Sequence, residues 1–301
     1  MANAFDDVSR FLEQGAAAAR GAVSGIAVEQ FKFVCSFIRM CSDGAASGYH
    51  ELNGGNASMR LTSDEVQSVR SYFYTTPGSW VALAHQVPEM ANEHLLVTGT
   101  GKHLRNVAVD PDSNIGIVQL DNRGAAWRVV WGLKGGGMPT SELYAHVAAH
   151  AVRKQVTAGK ARVLYHTHPA DAVAFSALCP PDSREASRAL WGAHTETLIA
   201  IPEGIGFVPW KVPSSEDLGR ATAEALRTYR ACLWQLHGVF ASGDDCDAAL
   251  GLVQAVDKAA RIWLNLHAAA VAGEQPFALS DDDLRSLAAA YNLPINEAFL
   301  A

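Results

Sequence analysis

Residues 115–120, Ile-Gly-Ile-Val-Gln-Leu, and 127–133, Trp-Arg-Val-Val-Trp-Gly-Leu, are two apolar, β-prone runs joined by a short link that carries Gly124. A link of that length cannot hold the crossover helix that a parallel pair needs, so the spacing predicts an antiparallel pair. This constrains the fold more than any other feature, because a regular doubly wound parallel sheet has no place for it. Residues 231–241 predict a second strand pair or one long strand. Short strands are also expected at 59–61, 94–98, 161–165 and 197–201.

Helices alternate with these strands. Phe31, Val34, Phe37 and Ile38 recur at helical spacing and predict a packed helix over 27–40. Ser63-Asp64-Glu65 opens a second helix with polar caps, and Pro139-Thr140-Ser141-Glu142 opens a third that runs to about Val156. Others are expected at 181–193, at 215–229, from Asp245 with Val253, Val256, Ala260 and Leu264 on one face, and from Ser280. No repeat or linker divides the chain. The expectation is a single α/β domain with a mixed, largely antiparallel central sheet and helices on both faces, preceded by an Ala/Gly-rich arm or loosely packed helix over residues 1–23.

With 301 residues and 49% hydrophobic content, the chain can bury a large core. Its net charge of −7 and lack of a dense Lys/Arg block argue against nucleic acid or an anionic membrane surface as a partner. The five cysteines form no C-x-x-C pair, which suits a reducing compartment, and no signal peptide or membrane span is apparent, so a cytoplasmic protein is expected.

The apolar run at 161–165 ends in His166-Thr167-His168-Pro169. Alternating side chains put both imidazoles on one side of a strand, close enough to share an ion. A His-x-His pair taken alone is more often two half-buried polar tips, so a metal reading needs a third ligand. His237 is the candidate, a titratable ring interrupting the apolar stretch Leu233-Trp234-Gln235-Leu236-His237-Gly238-Val239-Phe240. Three neutral imidazoles with an open position make a catalytic zinc arrangement, whereas a core histidine bonded to a carbonyl is the bland alternative.

Glu142 is expected in the first turn of its helix, where the helix dipole stabilises an acid without further role; beside a metal it would serve as a general base. Glu142, His146 and His150 are spaced by four and form a competing metal candidate on one helical face, ranked below the strand site because the pattern is not H-E-x-x-H. Two glycine turns, Asn53-Gly54-Gly55-Asn56 and Thr98-Gly99-Thr100-Gly101-Lys102, can each present backbone N–H groups to an anion, although either alone is better explained as a tight turn between sheet elements. Ser141, at a helix start, can add a hydroxyl toward the same anion.

Taken in order, NGGNASMRL, LLVTGTGKHLRNV, MPTSEL, VLYHTHP, HTETLIAIPEGIGFVPW and LWQLHGVFASG resemble the class II aldolase/adducin family from about Tyr49 to the C-terminal helices. The resemblance implies one class II aldolase-like catalytic domain over residues 24–301. It also implies reversible zinc-dependent cleavage of L-rhamnulose 1-phosphate to dihydroxyacetone phosphate and L-lactaldehyde. In this pattern His166, His168 and His237 hold one Zn2+ per subunit, Glu142 is the acid/base, and Asn53, Gly55, Asn56, Thr100, Gly101 and Ser141 cradle the substrate phosphate. Glu196 matches a glutamate that reaches into a neighbouring subunit's site, and the implied assembly is a homotetramer with sites near subunit interfaces. Thr100 stands where many relatives carry serine. The alternatives are a related class II aldolase or epimerase acting on another sugar phosphate such as L-fuculose 1-phosphate, or a non-catalytic adducin-like module. Such a module would not need three histidines together with Glu142.

Overall fold

The computed structural model describes residues 26–301, and the arm expected over residues 1–23 lies outside them. Nine strands form one sheet: β1 Asn56–Arg60, β2 Val81–Ala82, β3 His94–Thr98, β4 Ile115–Leu120, β5 Ala126–Gly132, β6 Val163–Thr167, β7 Gly206–Val208, β8 Ala231–Trp234 and β9 Gly238–Gly243. Their spatial order is β2-β5-β4-β3-β1-β6-β9-β8-β7. Every neighbour pair is antiparallel except β7 with β8. The mixed, largely antiparallel sheet that was expected is what forms.

Among the described residues, ten α-helices surround it: α1 Lys32–Ala46, α2 Ser63–Val69, α3 Pro111–Asn114, α4 Leu143–Val156, α5 Ala170–Leu178, α6 Ser183–Ala193, α7 Thr195–Ala200, α8 Glu216–Thr228, α9 Cys246–Val271 and α10 Asp281–Tyr291. Strand alternation divides the apolar residues between the two faces. Ala57, Met59, Leu96, Val163, Tyr165, Val239 and Ala241 pack with Phe37 and Met40 of α1, Phe175 of α5, and Val253 and Val256 of α9. On the opposite face, Leu95, Val97, Val118 and Leu120 meet Leu143 and Val147 of α4. Leu164, Trp234 and Phe240 lie beside Ala149 of α4 and Leu218 and Leu226 of α8. Among the described residues no helix is long and apolar enough to cross a membrane, and the five cysteines are free.

Two local expectations are corrected, and one helix had not been anticipated. Residues expected as a strand at 197–201 belong to helix α7 and its end, because Thr197 and Leu198 are buried and Ile201 O accepts from Trp191 Nε1 at 3.0 Å. A short apolar run does not itself choose between helix and strand; packing under Trp191 and Leu284 makes the choice. Helix α5, directly after Pro169, had no sequence signal long enough to read. Glu142 is the N-cap of α4 with φ −92° and ψ 16°, just outside the first turn rather than in it.

Candidate active site

Strand β6 lies at the sheet's centre between β1 and β9, and its C-terminal end delivers the first two imidazoles. His166 is the penultimate strand residue and pairs with Phe240, while His168 follows the strand on the same side. His237 is not within a strand. It lies in the tight β8–β9 turn, where its N–H bonds Trp234 O at 2.9 Å. Gly238 is required there, since a Cβ would fall 2.1 Å from Thr167 O. The ligand atoms of the three rings lie within 4.8 Å of one another, and no other such cluster of three occurs among the described residues.

The hydrogen bonds around the rings fix which nitrogens face the centre. His166 Nδ1 donates to Val239 O at 3.1 Å, and His168 Nδ1 donates to Glu51 Oε1 at 2.7 Å. A neutral imidazole that donates through Nδ1 has a bare Nε2, and the Nε2 atoms of these two rings lie 3.1 Å apart. Two lone pairs so placed repel unless a cation lies between them, and two nitrogens on a tetrahedral zinc would sit about 3.4 Å apart. Burial, with the neighbouring imidazoles adding to it, drives the His166 pKa well down and brings His237 to about 4, so neither ring is protonated near neutrality. His237 Nδ1 is a buried nitrogen without a hydrogen-bond partner. The donor set therefore fits a divalent metal. Glu51 stands where an orienting carboxylate would stand behind a metal-ligating histidine. Burial opposes its charge, but hydrogen bonding, chiefly to His168, holds its carboxyl below the ordinary value.

Glu142 stands beside this centre, 6% exposed, with Oε2 3.7 Å from His166 Nε2. Burial raises its pKa, against the partial opposition of an Asn56 Nδ2 bond to Oε2 at 2.8 Å. The competing cluster on α4 does not assemble as a ligand set. His146 Nε2 bonds Asn56 Oδ1, and His146 Nδ1 and His150 Nε2 lie 2.6 and 2.8 Å from Ser58 Oγ.

The two glycine turns converge on the same end of the sheet. Gly99 bridges Pro139, Thr100 N bonds Met138 O, and Thr140 N bonds Thr98 O, which stitches the Thr100-Gly101 turn to the segment carrying Ser141 and Glu142. Ala57 N bonds Thr98 Oγ1 at 3.1 Å and ties the Asn53–Asn56 loop alongside. Asn53, Thr100, Gly101 and Ser141 are exposed, and Ser141 Oγ meets Ser214 Oγ at 3.0 Å. The Asn56 side chain departs from its expected use, since Glu142 and His146 occupy both ends of its carboxamide. Glu196 is exposed in the first turn of α7, outside the histidine cluster.

Sheet order, helix placement and a three-imidazole centre beside a buried carboxylate go together with a match of residues 35–264 to the class II aldolase and adducin N-terminal domain, and the chain belongs to that family. It is 40% identical over 261 residues to the rhamnulose-1-phosphate aldolase of Yersinia pestis (strain Pestoides F), covering 87% of this chain and 94% of that protein. The solved sugar-phosphate aldolase from Thermotoga maritima superposes with a TM-score of 0.67 at 29% identity, covering 80% of this chain and 95% of that one. L-fuculose-1-phosphate aldolase from Thermus thermophilus shares the fold, with a TM-score of 0.52 at 21% identity over 80% of this chain and 96% of its own.

Proposed function

We propose that the chain is an aldolase that reversibly cleaves L-rhamnulose 1-phosphate to dihydroxyacetone phosphate and L-lactaldehyde, with one Zn2+ per subunit held by His166, His168 and His237. The observation that carries this reading is the convergence of three imidazoles, their ligand atoms within 4.8 Å of one another, beside the buried Glu142, in a chain 40% identical to proteins named for that reaction.

Cleavage of the C3–C4 bond needs a proton removed from the C4 hydroxyl and a place for the bonding electrons. Glu142 takes that proton in this reading, which its burial-raised proton affinity supports. As the C4 carbonyl forms, the electron pair moves onto C3 and the C2 oxygen to give an enediolate, and protonation at C3 completes dihydroxyacetone phosphate. A bound divalent ion supplies positive charge beside the developing oxyanion. Backbone N–H groups of the Asn53–Gly55 and Thr100–Gly101 turns, with the Ser141 hydroxyl, hold the phosphate and turn binding affinity into orientation of the reacting carbons. Glu196 acts from a neighbouring subunit in a homotetramer, which suits its exposure and its separation from its own chain's site. The substrates and the thiol-only cysteines suit a cytoplasmic enzyme.

The test is to incubate purified protein with L-rhamnulose 1-phosphate or L-fuculose 1-phosphate, with and without chelator, and follow dihydroxyacetone phosphate. Faster, chelator-sensitive release from the rhamnulose ester is expected. Equal and chelator-insensitive rates would overturn the reading. Glu142→Gln should retain metal and lose about 10²- to 10⁴-fold in kcat, and full activity in that variant would remove the assigned base.

A further inference from the structure

The two α4 histidines that are not ligands join the site another way. Starting from an ionised Glu142, whose oxygens can only accept, Asn56 must present Nδ2 to Oε2, as it does at 2.8 Å. Asn56 Oδ1 then faces His146 Nε2, so that nitrogen carries the hydrogen. A neutral His146 has a bare Nδ1, to which the Ser58 hydroxyl donates at 2.6 Å. Ser58 Oγ in turn accepts from His150 Nε2 at 2.8 Å, which leaves His150 Nδ1 bare. His150 Nδ1 is a buried nitrogen with no hydrogen-bond partner, the one lone pair that this direction of donation strands. Every donor in the row points toward Glu142. Asn56, Ser58, His146 and His150 are all buried, and desolvation keeps both rings neutral, as the row requires.

We infer that His146, backed by Ser58 and His150, is a positioning residue that locks the Asn56 carboxamide in the one orientation offering an N–H to Glu142, and so sets the aim of that carboxylate. This rests on the reading of Glu142 as the base. Without the His146 N–H, the Asn56 amide can turn over and present Oδ1 to Glu142, where two acceptors repel. A chain of bonds inside a dry region polarises along its length, so the orientation is held by the whole row rather than by one contact. The same helix face that the spacing offers as a metal site therefore acts on the catalytic acid from behind.

Neutron diffraction of the metal-loaded protein tests the directions themselves. Deuterium is expected on Nε2 of His146 and of His150, with the Asn56 ND2 group facing Glu142; deuterium on His146 Nδ1 would overturn the inference whatever the activity. Kinetics give a second arm. His146→Phe should lower kcat about tenfold or more with KM within about twofold and metal content unchanged. His146→Gln, which can place an amide N–H where Nε2 stands, should recover most of that loss. Wild-type kcat in the Phe variant would also overturn the inference. Absence of cleavage by the unaltered protein would instead refute the proposed reaction, and the neutron result would still decide the row.

Discussion

Adding one methyl group at Gly55 tests how the Asn53–Asn56 loop supports the three-histidine cluster. Gly55 has φ +73°, and a Cβ there would lie 2.5 Å from His50 Nδ1 and 2.7 Å from the backbone oxygen of His166. Gly101 is a matched control: its φ is +66°, but a Cβ would meet nothing within 4 Å. Left-handed backbone costs an alanine about 1–2 kcal/mol at either place. At Gly55, overpacking against a ring and a carbonyl adds about 1–3 kcal/mol, because neither is the far end of a flexible side chain. At about 2–4 °C per kcal/mol, Gly101→Ala should lower Tm by about 2–8 °C, and Gly55→Ala by about 4–20 °C. Displacement of the His166 backbone should also reduce metal occupancy in the Gly55 variant and leave it full in the Gly101 variant. Differential scanning calorimetry with elemental analysis reads both quantities. Equal Tm losses and full occupancy in both variants would refute the claim that Gly55 is needed for close approach to the ligand strand.

Glu51→Gln should weaken metal binding about ten- to a hundredfold, since His168 loses a charged partner for Nδ1. Competition with a chromophoric chelator measures this, and unchanged affinity would show that Glu51 does not orient the ligand. His237→Ala should lower metal content per subunit, and unchanged occupancy would exclude it from the set. Acid should destabilise the fold through its buried histidines. Burial depresses the pKa of His146 to about 3 and of His50 to about 4, each below the ordinary 6.5. Below pH 6.5 the unfolded chain therefore binds more protons. Each of these groups leaves stability level above that pH and lowers it by about 1.4 kcal/mol per unit as pH falls toward its folded pKa. Urea unfolding at pH 7.5, 6 and 5 checks the slope, and equal midpoints at 7.5 and 5 would contradict it.

Much of the fold was readable because its strands are joined by short links. The 115–120 and 127–133 pair follows from two apolar runs and the turn between them, whereas 231–241 reads equally as one strand or two and divides into β8 and β9. His166 and His168 were legible for the same reason, as alternation alone puts them together. His237 was legible as an anomaly in an apolar stretch, although its place in a turn was not, because an apolar run gives no warning that residues 235–237 leave the ladder. The polar row behind Glu142 was hidden for a different reason. The i, i+4 spacing of His146 and His150 shows that they share a face, but their partners Asn56 and Ser58 come from a strand about ninety residues earlier. Glu51 has no periodic signature, and its meeting with His168 across 117 residues is a product of tertiary folding.

The carbonyl of Val239 has two neighbours that matter at once. Its residue pairs with Thr167 in the β6–β9 ladder, and its oxygen accepts the Nδ1 proton of His166. A chain whose last hairpin settled one residue out of step would lose that acceptor, let the imidazole choose the other tautomer, and carry His237 away from its companions. Such a misthreaded molecule could not capture an ion. An ion bound by the three rings, as proposed, would therefore favour the correctly zipped sheet over slipped competitors that lack the site.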